Sequence, residues 1–233
     1  MSALLRSNCV GLYIALNSAL LGAQARCPWP VTRKRRKKLP PNDCALCKAG
    51  CGRGGKQDPV EREKLIEKKF LDLLEHHPEV IRFEKHTTKA ESLADLLIGN
   101  RPAVFHDTSD WNPCPKAMQD VIGGKVPDIV LRSKLSHENR IYIEVKHTSS
   151  LSGGVADSQL VRYFLHLLAT TTKVPKKGLQ DIQRGVLLCA PSSWFKNSRN
   201  ADTWEYFLGH FSGLAGAFDI ALGKVDADSL PTS

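Results

Sequence analysis

The 233-residue chain predicts an α/β domain, a mixed central β-sheet flanked by helices, preceded by a basic N-terminal arm. Three observations carry this. Residues 126–132 and 141–147 read as two strands whose alternate side chains share a face, Asp128 with Val130 and Tyr142 with Glu144 and Lys146, and a short polar connection joins them as a hairpin. Upstream, Asp58-Pro59 reads as an N-cap followed by an N1 proline, opening a helix that runs to about His76 before Pro78 stops it. Downstream, a helix from Ser158 to about Thr170 leads into the apolar run Gly185–Ala190, a strand expected to pair parallel to the second hairpin strand through a βαβ crossover.

The net charge of +9 is unevenly placed. Residues 1–57 carry 11 Lys/Arg against one acid, Asp43, so residues 58–233 carry 22 against 23. Attraction to a polyanion therefore belongs to the arm, and residues 58–222, read as the folded domain, must hold any nucleic acid by local patches and metal ions. The run Arg33–Lys38 reads equally as a solvated segment and as a phosphate-binding or nuclear-localisation element. Residues 1–25 combine an apolar run from Val10 to Leu21 with Ala23-Gln24-Ala25, the small-x-small pattern of a cleavage site. Asn17 and Ser18 interrupt that run and the basic segment follows it, so a cleaved targeting segment and a short buried or partner-binding helix both stay open. No run reaches the roughly 20 apolar residues of a membrane span, and no membrane association is expected.

Seven cysteines, with Cys9, Cys114 and Cys189 standing alone, do not make a disulfide framework. Cys44, Cys47 and Cys51 are closely spaced; with Cys27 or a histidine as fourth ligand they would hold a structural Zn²⁺, and free thiols in a flexible arm are the alternative.

On the first helix Ile66, Phe70, Leu73 and Leu74 form an apolar stripe. A 100° rotation per residue puts Glu63 in the middle of that stripe and Glu61 well away from it, and a carboxylate on a buried stripe needs a partner or a metal. Between residues 79 and 125 the expectations are a strand over Val80–Phe83, a short helix over Glu91–Ile98 and a long loop from Gly99 to Pro115 that carries Trp111. Thr203–Phe211 reads as a closing helix, and residues 223–233 as a flexible tail.

Strand alternation gathers Asp128, Glu144 and Lys146 into one small volume. Two carboxylates are hard oxygen ligands suited to Mg²⁺ or Mn²⁺, and such an ion keeps several waters, one able to act as nucleophile. Lys146 sets a positive charge beside that water and beside the charge that develops on a phosphoryl group. The bland alternative is a surface hairpin with a Glu/Lys salt bridge; Asp128, directly after a proline and between apolar residues, argues against it.

Pro127-Asp128 followed by Glu144-Val145-Lys146, inside the order helix, strand, strand, helix, strand, resembles the PD-(D/E)XK nuclease superfamily over roughly residues 58–220. The resemblance implies a restriction endonuclease-like core. It also implies that the Val145 carbonyl completes the inner metal shell, and that an acid from the first helix joins it. Glu63 leads for that position because it faces inward; Glu61 resembles the position used in some junction-resolving members. Gln159-x3-Tyr163 resembles the Q-x3-Y element of the exonuclease-like branch, which contacts the substrate and the site. Lys173, Lys176 and Lys177, a basic turn after that helix, join Gln159 and Tyr163 as expected substrate contacts. The implied function is a Mg²⁺-dependent deoxyribonuclease, an endonuclease of restriction or repair type, intracellular and associated with DNA, with a homodimer left open. A catalytically silent nucleic-acid-binding or assembly protein that keeps the fold is the alternative from another class. A metal-binding secreted protein is a third reading, and it depends on residues 1–25 being a signal peptide.

Overall fold

The computed structural model describes residues 59–98, 104–105, 125–136, 138–170 and 181–231. The chain divides into two units, 1–57 and 58–233, and all of these residues belong to the second. The basic arm, its cysteines, the 1–25 segment, Trp111 and the lysines at 173, 176 and 177 lie outside the described residues.

Helix α1 (Pro59–His76) comes first, followed by the short strand β1 (Glu84–Lys85), the one-turn helix α2 (Leu93–Leu96) and the short strand β2 (Val104–Phe105). The hairpin strands are β3 (Ile129–Arg132) and β4 (Arg140–Val145). After them come α3 (Gln159–Thr170), β5 (Arg184–Ala190), α4 (Ser192–Phe195), α5 (Ser198–Ala217) and β6 (Ile220–Asp226). They build one open, mixed, six-stranded sheet in the order β1-β6-β5-β4-β3-β2. β3 and β4 pair antiparallel, β4, β5 and β6 run parallel, and the two-residue strands close the edges antiparallel.

Every residue of β4 and of β5 is buried, as expected of central strands covered on both faces. One face sets Ile129, Leu131, Ile141, Ile143 and Leu187 against Phe70, Leu73 and Leu74 of α1. The other sets Val130, Tyr142, Val186 and Leu188 against Phe164 and Leu167 of α3 and Phe207 and Phe211 of α5. The period-two alternation of β3 and β4 thus feeds two cores, and the helix stripe reaches the sheet with Ile66 half-buried at its start.

Three expectations are corrected. Val80–Phe83 is not a strand: Pro78 opens a 3-10 turn over Pro78–Val80, Arg82 makes only an isolated bridge to Ser92, and the strand starts at Glu84. The closing helix spans Ser198–Ala217 rather than Thr203–Phe211: Asn197, in extended backbone, caps it before Ser198, and Gly213 and Gly216, on its exposed side with nothing within 4 Å of a built Cβ, leave no packing cost to stop it at Phe211. The tail expected from residue 223 is instead the second half of β6, followed by a 3-10 turn over Ala227–Ser229 and a buried Leu230. The Lys69 ammonium donates to the Leu230 carbonyl at 2.6 Å, tying this end to α1.

Gly223 masks that strand in the sequence. A Cβ there would stand 2.7 Å from Phe83 Cδ2 and 3.0 Å from the Glu84 carbonyl, so a residue that looks like a strand breaker is what lets β1 close on β6. Gly223→Val is expected to cost ~1–3 kcal/mol by overpacking, read as a lowered melting temperature with the secondary structure retained. Among the described residues no helix is long and apolar enough to cross a membrane.

Candidate functional site

The register of the hairpin sets the site. Ile129 opposes Ile143, so one step further Asp128 opposes Glu144, and the Asp128 carboxylate accepts from the Val145 backbone N–H at 2.7 Å. Pro127 is buried and Asp128 half-buried, which sets that carboxylate at the mouth rather than in the core. Glu144 follows Tyr142 on the α3 face at 1% exposure, and Lys146, at 8%, closes on it with Nζ 2.6 Å from Oε1. The Lys146 backbone N–H donates to the Cys189 carbonyl at 2.8 Å, so the residue just past β4 stays pinned to β5.

Helix α3 completes the pocket around Glu144. The Tyr163 hydroxyl donates to Glu144 Oε2 at 2.7 Å and lies 3.1 Å from the Val126 carbonyl. The Gln159 amide donates to that hydroxyl at 3.3 Å, and its carbonyl oxygen accepts from the Ser152 N–H at 2.9 Å. One helical turn separates Gln159 from Tyr163, and their contacts join the loop after β4 to the buried carboxylate. Behind them the Tyr142 hydroxyl meets His166 Nδ1 at 2.8 Å, a fully buried polar pair that sequence reading missed.

Burial dominates the electrostatics. It pushes the Glu144 carboxyl up to about 7; the Lys146 charge opposes the rise, the Asp128 charge adds to it, and the hydrogen bonds from Lys146 and Tyr163 oppose it. Burial works against the Lys146 charge as well, but its contact with Glu144 and the charges of Asp128 and Glu63 outweigh that, so its pKa rises and the ammonium persists through neutral pH. Burial and the neighbouring Glu144 also drive the Tyr163 hydroxyl well above its ordinary range, keeping it a donor.

Glu63 of α1 reaches the same end of β4. Its carboxylate accepts from the His147 backbone N–H at 3.1 Å and from the Ser149 hydroxyl at 2.5 Å. Glu61 is exposed and stays away. Glu63 is therefore committed to the loop that follows Lys146, and among the described residues no group of three or more His, Cys, Asp or Glu side chains is arranged to hold a metal ion. Asp128 and Glu144 remain as a two-carboxylate donor set with the Val145 carbonyl in the residue between Glu144 and Lys146. Hard oxygens of this number suit Mg²⁺ or Mn²⁺, which take one or two carboxylates and otherwise water and phosphate. A buried carboxyl held at about 7 fits a nearby cation too. On the far side of the loop the Trp194 indole N–H donates to the Ser149 carbonyl at 2.8 Å. Nothing in Pro191-Ser-Ser-Trp194 announces that role beyond an aromatic placed just after a buried strand.

Tyr163→Phe removes the hydrogen bond that helps keep Glu144 ionised. It is expected to move the acid limb of any activity upward in pH and to cost ~1 kcal/mol of stability, checked by a pH–rate profile and a denaturant titration.

Compared with protein-family models, curated proteins and solved structures, the chain gives no match.

Proposed function

We propose that the chain is a divalent-metal-dependent deoxyribonuclease of the PD-(D/E)XK type, an endonuclease of restriction or repair character on a restriction endonuclease-like core. The observation that carries the reading is the opposition of Asp128 to a buried Glu144, with Lys146 Nζ 2.6 Å from the latter, at the carboxyl end of a central strand. Ligands of open α/β sheets gather outside such strand ends. A bound Mg²⁺ or Mn²⁺ would supply Lewis acidity and a water of lowered pKa. The chain's own groups do the rest. Asp128 and Glu144 present carboxylate oxygens, Lys146 sets a fixed charge where negative charge grows on the phosphoryl oxygens, and Tyr163 with Gln159 holds the Glu144 carboxylate in place.

The reading is tested by incubating purified protein with plasmid, linear and single-stranded DNA, and with RNA, in Mg²⁺ or EDTA, beside Asp128→Ala. Metal-dependent cutting of DNA by the wild type and its loss in the variant are expected. A wild type that cuts nothing with any metal, or an Asp128→Ala protein that cuts equally well, sinks it. The competing reading is a catalytically silent nucleic-acid-binding or assembly protein that keeps the fold. It draws on the commitment of Glu63 to His147 and Ser149, which leaves two carboxylates rather than three.

A further inference from the structure

A second feature lies on the same edge of the sheet. Glu144 pairs in register with Leu188, and Leu188 with Lys224, so Lys224 stands two strands, about 10 Å, across the same face from Glu144. Beside it opens a cleft of about 490 Å³ between Arg82 and Phe83, Phe195 and Lys196, and Lys224 and Asp226. That volume suits a ligand of nucleotide size.

The lining has the chemistry of a phosphate and a base. Lys224 Nζ lies 4.9 Å from the centroid of the Phe195 ring and pairs with Glu84 at 2.8 Å. The other acid of the cleft, Asp226, accepts from the Ser192 hydroxyl at 2.7 Å and from the Asp228 N–H at 3.0 Å. Glu84 is thus paired with a cation, whereas Asp226 is held by hydrogen bonds and keeps its negative charge. At the rim Lys196 is exposed, and Arg82 meets Glu91 only at 3.9 Å with both side chains about two-thirds in solvent, a contact that a phosphate can replace. Lys224 Nζ stands over the Phe195 ring, so an unstacked base takes that face by displacing the flexible lysine, whose ammonium stays beside the backbone. The cleft is also joined to the first site: α4, which carries Phe195, holds the Ser149 carbonyl through Trp194, and the Ser149 hydroxyl holds Glu63.

We infer that this cleft binds one unpaired nucleotide of the DNA strand, its base on Phe195 and its phosphate on Arg82 and Lys196, on the same strand as the phosphate presented to Asp128, Glu144 and Lys146. The continuation into the cutting site rests on the nuclease reading; occupancy of the cleft is measured without cutting. The full chain in EDTA is given a single-stranded oligonucleotide carrying 5-iodouracil, irradiated, and the cross-linked peptides are mapped by mass spectrometry, with affinity followed by fluorescence anisotropy. Cross-links at Phe195 or Phe83 are expected. Arg82→Glu with Lys196→Glu should weaken binding about tenfold and reduce the salt slope by about 0.7, one phosphate's worth for a single strand. Lys68→Glu, exposed on α1, should change neither.

Cross-links confined to residues 1–57, or an equal loss in Lys68→Glu, overturn the inference. So does a blunt duplex that binds with the same dependence on Arg82 and Lys196, or a deoxynucleoside monophosphate that occupies the cleft while the oligonucleotide does not. Metal-dependent cutting with no cross-link in the cleft defeats this inference and spares the nuclease reading. Cross-links in the cleft on a protein that never cuts do the reverse.

Discussion

Asp128→Asn is expected to lower metal-dependent DNA cleavage by ~10³-fold or more while leaving the fold in place. The substitution keeps an oxygen where Asp128 accepts the Val145 N–H at 2.7 Å, so the start of β3 stays attached to the end of β4. What it removes is one of two carboxylate charges at the mouth. With Glu63 committed to His147 and Ser149, no third acid stands ready to replace it among the described residues. The comparison is made by quantifying nicked plasmid at equal concentrations of folded protein, with circular dichroism as the check on folding. Retained cleavage would mean that Asp128 serves the hairpin alone.

Lys146→Ala is expected to reduce cleavage by ~10²–10³-fold and to leave DNA affinity within about threefold, since binding of a polyanion is spread over many phosphates. Two effects combine. The variant loses the cation that the proposed mechanism sets beside the reacting phosphate, and Glu144 loses the charge that most strongly opposes the rise of its pKa, so its carboxyl moves further above about 7. The loss of rate should therefore deepen as pH falls toward 6 and shrink toward pH 9. Stability follows the same titration. Glu144 has a folded pKa above its unfolded value, so between about 4.5 and 7 the folded state holds more protons, and its stability declines as pH rises through that window. In Lys146→Ala the window extends upward, and its melting temperature should fall increasingly behind the wild type's between pH 6 and 8. Parallel melting curves at all pH values would separate Lys146 from Glu144.

Alternation in residues 126–132 and 141–147 was enough to bring Asp128, Glu144 and Lys146 to one place, because a strand's period forces side chains two apart onto one face. A 100° helical step was likewise enough to aim Glu63 inward and Glu61 outward. What those periodicities do not carry is whom each group meets. Glu63 finds Ser149, 86 residues away, and Trp194 finds the same residue's carbonyl across 45. Such pairings are set by how α1 and α4 pack on the finished sheet, and no local pattern encodes them. The last strand is masked in the sequence for a different reason. Gly223 and Lys224 break its apolar run, the glycine to admit Phe83 and the lysine to meet Glu84 and the ring of Phe195.

Asp128 and Glu144 are proposed to act together as one divalent-cation site. Calorimetric titration of the wild type and Asp128→Asn with Mn²⁺ at pH 6 and pH 8.5, in buffers of different ionisation enthalpy, tests it. Glu144 must lose its proton to become a ligand, and its carboxyl sits at about 7. The wild type is therefore expected to bind Mn²⁺ with release of about one proton at pH 6 and almost none at pH 8.5, and Asp128→Asn to bind at least tenfold more weakly. Binding that Asp128→Asn leaves unchanged, or that releases no proton at pH 6, would contradict it.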